Sequence, residues 1–512
     1  MSTKDQVSQL ENRIAELEQE NLLLQEKVDF LTRKLFGRTT EKTSSLGIEG
    51  QMSLFDEAEI SADPEAPEPD MRDVASYRRK KFRGQREALL RDIPHEKKLC
   101  TLAEEDRFCE ACGSPLYSIG EEFVRTEIEF IPAKIRVIDY YRETFECRKC
   151  RKEEREYIEK SPMPYPVIQH SYASASTIAQ VIHQKFELAV PLYRQEKEWK
   201  VLGVALSRAT MSNWLLVSYR DWLAPVVDRL KQELLKQKYL HIDETVVQVL
   251  NEQNRKNTTD SYMWVYCSIK DSKHPVRLFD YRPGRSGEFP KRFLGDYKGY
   301  VHTDAYKGYE KVNGITRCLC WTHLRRYFVE ALPKDMESPE STIPAQAIAY
   351  INKLFEIENK LEVLSPEGRK AQRLEQEMPV LNAFWSWAEK ASKGILPKSK
   401  LGIAFQYALG NKEGFMNYLL DGNCVISNNL AENSIRPFTI GRKNWLFSGS
   451  PKGAEASAGI YTLIETAKAN GLNPTKYIQY ILGDIPGTVF LEYPEILDDY
   501  MPWDEYVQKI CR

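Results

Sequence analysis

The sequence has no long apolar run. Of its 512 residues 42% are hydrophobic, yet no uninterrupted apolar stretch approaches the roughly 18 residues that a membrane-spanning helix needs. The first residues are polar and charged where a secretory signal would have an apolar segment. We therefore expect a cytoplasmic protein without a membrane-spanning segment.

A strong net charge is also lacking. The 72 basic and 74 acidic residues give a formal net charge of −2, so the composition as a whole does not point to nucleic-acid binding. Any contact with DNA has to come from local basic surface, because phosphate neutralisation depends on where Lys and Arg lie. With roughly 150 residues per domain as a guide, the length predicts about three or four modules.

The N-terminal segment, residues 1–36, has the pattern of a coiled coil. Apolar residues alternate at spacings of three and four, with Asn21 at one position of the seam. A single Asn in such a seam favours a parallel dimer in one register. The alternative is an amphipathic helix packed on the body of the same chain. The seam consists of Val7, Leu10, Ile14, Leu17, Asn21, Leu24, Val28, Leu31 and Leu35.

Residues 37–90 read as a linker. The acids and prolines of SADPEAPEPD cannot form a core, and the charge then changes sign at YRRKKFRGQR, residues 77–86. This basic cluster is either an arm that grips phosphate or a solvated loop.

Cysteines are concentrated in residues 91–160. Cys109 and Cys112 form one Cys-x-x-Cys pair, and Cys147 and Cys150 form another. Two such pairs can supply the four thiolates of a closed, tetrahedral zinc site, and disulfides are disfavoured in a cytoplasmic protein. We predict a structural zinc module, with Cys100 as a rival ligand or a spare thiol.

Residues 161–235 are predicted to be helical. A turn at Leu202-Gly203-Val204 precedes Ser207, a good N-cap residue, which is the layout of a helix-turn-helix with its recognition helix second. Helical hairpins that never touch DNA share this pattern. The side chains that would project from the start of the second helix are Arg208, Thr210, Ser212 and Asn213.

Three acidic residues carry the strongest indication of chemistry. Asp243 lies within an alternating β-branched run, Asp304 ends a second such run, and Glu432 lies in the first turns of a helix opened by Ser427-Asn428-Asn429. Two strand-borne aspartates and a helix-borne glutamate are the oxygen ligands that Mg²⁺ prefers. Taken singly, each acid is better explained as a turn, a strand end or a solvated helix residue.

The pattern around these acids predicts a multidomain α/β protein. The Asp243 run is followed by strand-like runs at 262–270 and 276–282, which fit a meander, then by the Asp304 strand, a run at 315–320 and a helix at 321–332. We assign residues 236–470 to this domain, with a helical insertion at about 335–410 and a C-terminal tail at 471–512. His241 and His302 are expected to face inward rather than to bind metal.

Across nearly its whole length the chain closely resembles the transposases of bacterial insertion sequence family 66, which are Asp-Asp-Glu recombinases. LFGR, SLFDE, the paired cysteines and GRKNWLFSGSPKGAEASA carry the resemblance. It implies a ribonuclease H-like core in which Asp243, Asp304 and Glu432 hold catalytic Mg²⁺ or Mn²⁺, and a zinc module that contacts DNA. It also implies small accessory proteins encoded by the same element.

We therefore interpret the chain as a nucleoid-associated DNA transposase that acts on terminal inverted repeats and target DNA. Through the coiled coil we expect it to form a homodimer or a higher oligomer. The alternatives are a non-catalytic, end-binding repressor derived from a transposase, and a metal-dependent nuclease. Cation-plus-aromatic clusters near the acids suit the gripping of a DNA end. They comprise Arg325, Arg326, Arg436, Arg442, Lys443 and Trp445, and His323 is a further candidate for contact with the scissile phosphate.

Overall fold

The computed structural model describes residues 114–115, 135–147, 158–333 and 342–512. The predicted coiled coil at 1–36, the linker at 37–90 and the zinc-ligand candidates Cys109, Cys112 and Cys150 lie outside the described residues. Within them, a short antiparallel hairpin pairs strand β1 with strand β2, and Cys147 follows β1 directly. The two strands are β1 (Thr144–Glu146) and β2 (Ile158–Lys160).

A mixed sheet forms the centre of the described fold, and the predicted strands and meander are confirmed. Its order is β5-β4-β3-β6-β7, and β8 pairs with the far end of β3. Strand β4 runs antiparallel to its neighbours β3 and β5, whereas β6 and β7 run parallel to β3. The bounds are β3 (Tyr239–Val249), β4 (Asp260–Ser268), β5 (Arg277–Arg282), β6 (Gly299–Thr303), β7 (Ile315–Leu319) and β8 (Phe447–Ser448).

Helices before the sheet form the predicted helical region. A π-helical turn at His183–Glu187 extends the first of them, and another at Tyr219–Leu223 joins the third to the fourth. The helices are α1 (Ala175–Ile182), α2 (Leu192–Val201), α3 (Arg208–Ser218) and α4 (Ala224–Leu235). Gly203, in the turn between α2 and α3, has a φ of +89°, a conformation that glycine adopts without strain.

Helices that connect or follow the strands complete the core. Helix α5 (Glu288–Leu294) precedes β6, and α6 (Trp321–Glu330) follows β7. Residues 471–512, predicted as a tail, instead form helices and 3₁₀ turns that pack through Tyr477, Ile478 and Ile481 into the main core. The C-terminal helices are α11 (Asn429–Trp445), α12 (Pro451–Ala469), α13 (Pro474–Asp484) and α14 (Glu505–Ile510).

A helical segment lies between α6 and α11, where helices were predicted. It contains α7 (Ile343–Leu361), α8 (Pro366–Ala391), α9 (Lys400–Gly410) and α10 (Lys412–Met416). Its apolar faces form a second buried cluster that includes Trp321 from α6, whose indole nitrogen donates to the Phe415 carbonyl at 3.0 Å. The insertion therefore has its own core and joins the sheet domain along β7 and α6.

Local sequence explains where many helices begin. Ser207 accepts a hydrogen bond from the Thr210 amide at 3.1 Å, as the predicted N-cap of α3 should. The same arrangement recurs before other helices, several of which have proline in their first turn. The capping side chains are Ser174, Ser207, Thr342, Ser365, Ser399, Ser450, Asn473 and Asp504. Among the described helices, none combines the length and apolar character needed to cross a membrane.

Candidate active site

Asp243 lies in the middle of β3, the strand between β4 and β6. Its Oδ1 accepts a hydrogen bond from the Glu244 amide at 2.9 Å. Burial raises the pKa of Asp243 well above its usual value, and the negative charges of Glu244, Glu432 and Asp304 add to the rise. Asp243 therefore lies within a group of acids whose charges are felt at its carboxylate.

Asp304 directly follows β6, and its position relative to Asp243 follows from the strand register. His241 on β3 is paired with His302 on β6 in a parallel ladder, so Asp304, the first residue after β6, lies beside Asp243, which is two positions further along β3. The Asp304 Oδ1 accepts from the Tyr306 amide at 2.9 Å, which shapes the turn. Arg317 on β7 donates to the Asp304 carbonyl at 2.9 Å.

Glu432 lies in the first turn of α11, but the predicted capping of this helix is wrong. The helix begins at Asn429, and the side chain of its N-cap, Asn428, makes no capping hydrogen bond. The Asn428 Nδ2 instead donates to the Ile242 carbonyl at 2.8 Å, and its Oδ1 lies 2.9 Å from the His241 Nδ1. Because Asn428 is buried, its amide satisfies polar groups of β3 rather than the helix end, and this fixes the start of α11 next to Asp243.

His323 and Arg326, both on α6, face Glu432. The Arg326 Nη2 lies 3.4 Å from the Glu432 Oε2, and the His323 Nδ1 lies 3.4 Å from the Glu432 Oε1. The His323 Nδ1 and the Glu432 Oε1 are both buried, and neither atom has a hydrogen bond among the described residues. Burial lowers the pKa of His323, which favours the neutral imidazole.

Two buried histidines in β3 and β6 lie two residues before the aspartates. His241 and His302 are each 1% exposed, and their rings stack with centres 4.3 Å apart. The His302 Nδ1 lies 3.2 Å from the Leu240 carbonyl, and its Nε2 accepts from the Val425 amide at 3.0 Å. Both ring nitrogens of His302 are thus engaged by backbone, which confirms the prediction that these histidines face inward.

The predicted DNA-contacting side chains lie on three helices, α3, α6 and α11. Those of the helix-turn-helix lie at the first turns of α3, where Arg208 and Asn213 are exposed. Arg325 is directed away from the acids, since its Nε donates to Asn352 Oδ1 of the insertion at 2.8 Å. The structure therefore brings only Arg326 of the two α6 arginines to the acids.

The residues after Glu432 follow α11 to its end. Arg436 and Lys443 are exposed, and Arg442 donates to the Thr245 Oγ1 at 3.2 Å. Trp445 is half buried, with its ring centre 6.2 Å from that of Phe186. Trp445 therefore packs in part against the helical region, which limits the face that it can offer to a base.

The sequence analysis missed a fourth acid at the site, Glu244, and its partners. Glu244 follows Asp243, yet its side chain is only 2% exposed and forms an ion pair with Arg285 at 2.7 Å. Arg285 also lies 3.7 Å from the Asp304 Oδ2. The adjacent Asp-Glu in the strand was the available signal, because two successive acids in a buried strand both need compensation.

Family models match most of the chain. A model described as "Transposase IS66 family" matches residues 170–456, and one described as "IS66 C-terminal element" matches residues 462–503. A model described as "zinc-finger binding domain of transposase IS66" matches residues 106–151, which include the paired cysteines. A fourth, described as "Transposase C of IS166 homeodomain", matches residues 23–97.

Two proteins of Sinorhizobium fredii are similar to the chain over nearly its full length. The uncharacterized protein y4hP is 30% identical over 508 residues, which cover 94% of this chain and 88% of that protein. The uncharacterized protein y4jD is 27% identical and covers 97% of both chains.

Proposed function

The chain belongs to the IS66 transposase family, and we propose that it is a DNA transposase that cleaves the ends of an insertion sequence and joins them to target DNA. The observation that carries the proposal is that Asp304, next to Asp243 in the β3–β6 register, and Glu432 of α11 both act electrostatically on the Asp243 carboxylate. We further propose that β3 to β7 with α6 and α11 form a ribonuclease H-like core. An antiparallel meander followed by two parallel strands supports that assignment.

The donor set fits a divalent cation. All three side chains offer carboxylate oxygens, which hard cations prefer, and the buried Glu432 Oε1 has no hydrogen bond among the described residues. Burial, and then the negative charges of Glu244, Glu432 and Asp304, raise the pKa of Asp243, and a bound cation would offset both effects. Asp243, Asp304 and Glu432 would hold Mg²⁺ or Mn²⁺.

When bound, divalent cations would activate a water or a DNA 3′-hydroxyl and stabilise the leaving oxygen of an in-line displacement at phosphorus. The protein supplies positions for this chemistry. β3 and β6 fix the two aspartates through their ladder, and the hydrogen bonds of Asn428 to β3 fix the start of the glutamate helix. His323 and Arg326 border Glu432, where Arg326 can attract a phosphate of the bound strand.

DNA recognition would come from other modules. The exposed start of α3 after the Gly203 turn supports a role in reading DNA for Arg208, Thr210, Ser212 and Asn213. Four further candidates lie along the glutamate helix and would grip the DNA end: Arg436, Arg442, Lys443 and Trp445. The zinc-finger match supports a structural zinc held by Cys109, Cys112, Cys147 and Cys150. Dimerisation through residues 1–36 and cooperation with accessory proteins belong to the same proposal.

The test is a transposition assay with the native flanking ends that compares the intact chain, Asp304→Asn and the control Asp296→Asn. Asp296 is an exposed acid just before β6 and away from the site. We expect the intact chain and the control to move the element and Asp304→Asn to bind ends without moving it. End binding without movement by any of the three proteins, with accessory factors supplied, would favour the repressor. Cleavage without joining would favour a nuclease.

A further inference from the structure

One arginine stands at the edge of the acidic site without a place in the chemistry described so far. Arg285 lies in the loop between β5 and α5, and its side chain is 41% exposed. Its Nη2 lies 2.7 Å from the Glu244 Oε1 and 3.7 Å from the Asp304 Oδ2. A guanidinium thus borders Asp304 on one side and solvent on another.

Glu244 anchors this arginine. Its Oε1 accepts from the Arg285 Nε at 2.7 Å, and its Oε2 accepts from the Tyr309 hydroxyl at 2.6 Å. Both carboxylate oxygens are therefore engaged, unlike the Oε1 of Glu432. A buried acid whose two oxygens already have donors is suited to hold a cation in place rather than to bind a metal.

The backbone around Arg285 is held as firmly as its side chain. The guanidinium carbon lies 4.1 Å from the centre of the Tyr306 ring, and the Tyr306 hydroxyl donates to the Arg285 carbonyl. A Cβ at Gly287 would collide with the backbone of Gly308, so only glycine allows this loop to approach the turn after Asp304 so closely. Exposed arginines are rarely fixed at so many points, and such fixing reduces the entropy lost when a ligand binds.

We propose that Arg285 binds a non-bridging oxygen of the phosphodiester at which the DNA strand is cut, and that Glu244 and Tyr306 position it there. This inference rests on the proposed transposase function. A guanidinium can keep its Nε on Glu244 while other N–H groups face a phosphate. The carboxylates of the site would otherwise repel the DNA backbone. With Asp304 committed to a divalent cation, the N–H groups of Arg285 that do not face Glu244 are left to the phosphate.

The test measures binding of an element-end duplex to the full chain with Ca²⁺ in place of Mg²⁺. The duplex is made with a natural phosphate, or with a single uncharged methylphosphonate, at the cleavage position. Arg285→Gln is compared with Arg292→Gln, an exposed arginine of α5 that has no ion pair at the site. Arg285→Lys keeps the charge but cannot hold Glu244 and a phosphate with a planar fork.

We expect Arg285→Gln to weaken binding of the natural duplex about 10- to 100-fold, and the methylphosphonate to abolish the difference from the intact chain. Arg285→Lys should fall in between, and Arg292→Gln should show the same small change on both duplexes. Equal weakening of both duplexes by Arg285→Gln would overturn the proposal, because the arginine would then act through the fold or through general charge.

The proposal would also be overturned if Arg285→Gln bound DNA as the intact chain does but reached half-maximal cleavage at a lower Mg²⁺ concentration. Arg285 would then be a counter-charge for Asp304. An intact chain that neither binds nor cuts the end duplex would contradict both the proposed transposase function and this inference. An intact chain that binds and cuts while Arg285→Gln equals it would sink this inference alone.

Discussion

Two regions of the molecule bury clusters of charged side chains, and the two clusters differ in how their charges are compensated. In the helical insertion Arg373 is fully buried and donates to both oxygens of Glu358, at 2.6 and 2.8 Å, and to the Cys424 carbonyl at 2.8 Å. In the sheet domain Asp304 and Glu432 act electrostatically on Asp243. The arginines that pair with Asp304 and Glu432 are Arg285 and Arg326, which are 41% and 48% exposed.

The difference separates a structural cluster from a functional one. Arg373 joins α8 to α7 and to the loop before α11, and among the described residues its partners satisfy it without any ligand. At the sheet, burial and then the neighbouring negative charges raise the pKa of Asp243, and the arginines beside Asp304 and Glu432 are open to solvent. Acids of shifted pKa whose counter-charges a ligand can reach are candidates for a functional site.

The sharpest way to test this comparison is to neutralise one glutamate in each cluster. We expect Glu432→Gln to reduce DNA-end cleavage by on the order of 10³-fold or more, because a ligand of the catalytic cation is lost. Glu377→Gln, in the insertion, should leave cleavage nearly unchanged. Rates are measured with a labelled end duplex under saturating Mg²⁺. Similar losses in both variants would show that the insertion takes part in the chemistry.

Replacing Arg373, the buried cationic side chain of the insertion, should affect stability rather than chemistry. Arg373→Met leaves Glu358 buried and unpaired, and we expect the free energy of unfolding to fall by about 3 to 5 kcal/mol. Lys370→Met, an exposed change three residues earlier on α8, is the control and should alter stability by less than about 0.5 kcal/mol. Urea unfolding followed by circular dichroism measures both. Equal stability of the two variants would contradict a structural role for Arg373.

The insertion should also respond to pH. Burial and the nearby Glu358 raise the pKa of Glu377 to about 8, and its Oε2 accepts from the Tyr418 hydroxyl at 2.5 Å. A folded pKa above the ordinary value stabilises the fold fully below about pH 4.5 and loses that contribution as the pH rises through about 8.

We expect the free energy of unfolding to fall by about 2 kcal/mol between about pH 5 and pH 9, and Glu377→Gln to remove most of that fall. Unfolding of both proteins across this range supplies the measurement. A slope that persists unchanged in Glu377→Gln would assign the pH dependence to another group.

The smallest effect on stability is expected at Asp243. Because its burial among like charges disfavours the ionised form, Asp243→Asn should raise the free energy of unfolding of the metal-free chain by roughly 1 kcal/mol while abolishing cleavage. Mg²⁺ should raise the melting temperature of the intact chain and of Asp296→Asn, and should raise that of Asp243→Asn much less. A destabilised Asp243→Asn in the absence of metal would argue that this carboxylate supports the fold.

Much of the sheet was predictable from local pattern. The alternation of β-branched residues around Asp243 and the turn residues after it indicated β3, β4 and β5, and the structure has all three. Ser207 as the N-cap of α3 also followed from sequence, because capping depends on a hydrogen bond to a residue three positions away. Such features need only near neighbours in the chain.

The details of the site were not predictable in the same way. Asn428 looked like part of a helix cap but bonds to β3, 186 residues away in sequence. Arg285 has no motif that marks it, and only the approach of its loop to the turn after Asp304 places it beside Glu244. In both cases a residue of ordinary local pattern takes its role from a partner that is distant in the chain.

The sequence by itself determined which residues could carry chemistry, the order of the strands along the chain and the family to which the chain belongs. Short-range periodicity, turn residues and the positions of the acids are properties of neighbouring residues, so they can be identified from the sequence without a structure. The tertiary structure alone decided which charges compensate one another. That outcome depends on strand register and helix packing, which join Arg373 to Glu358 and place Asp304 and Glu432 near the buried Asp243.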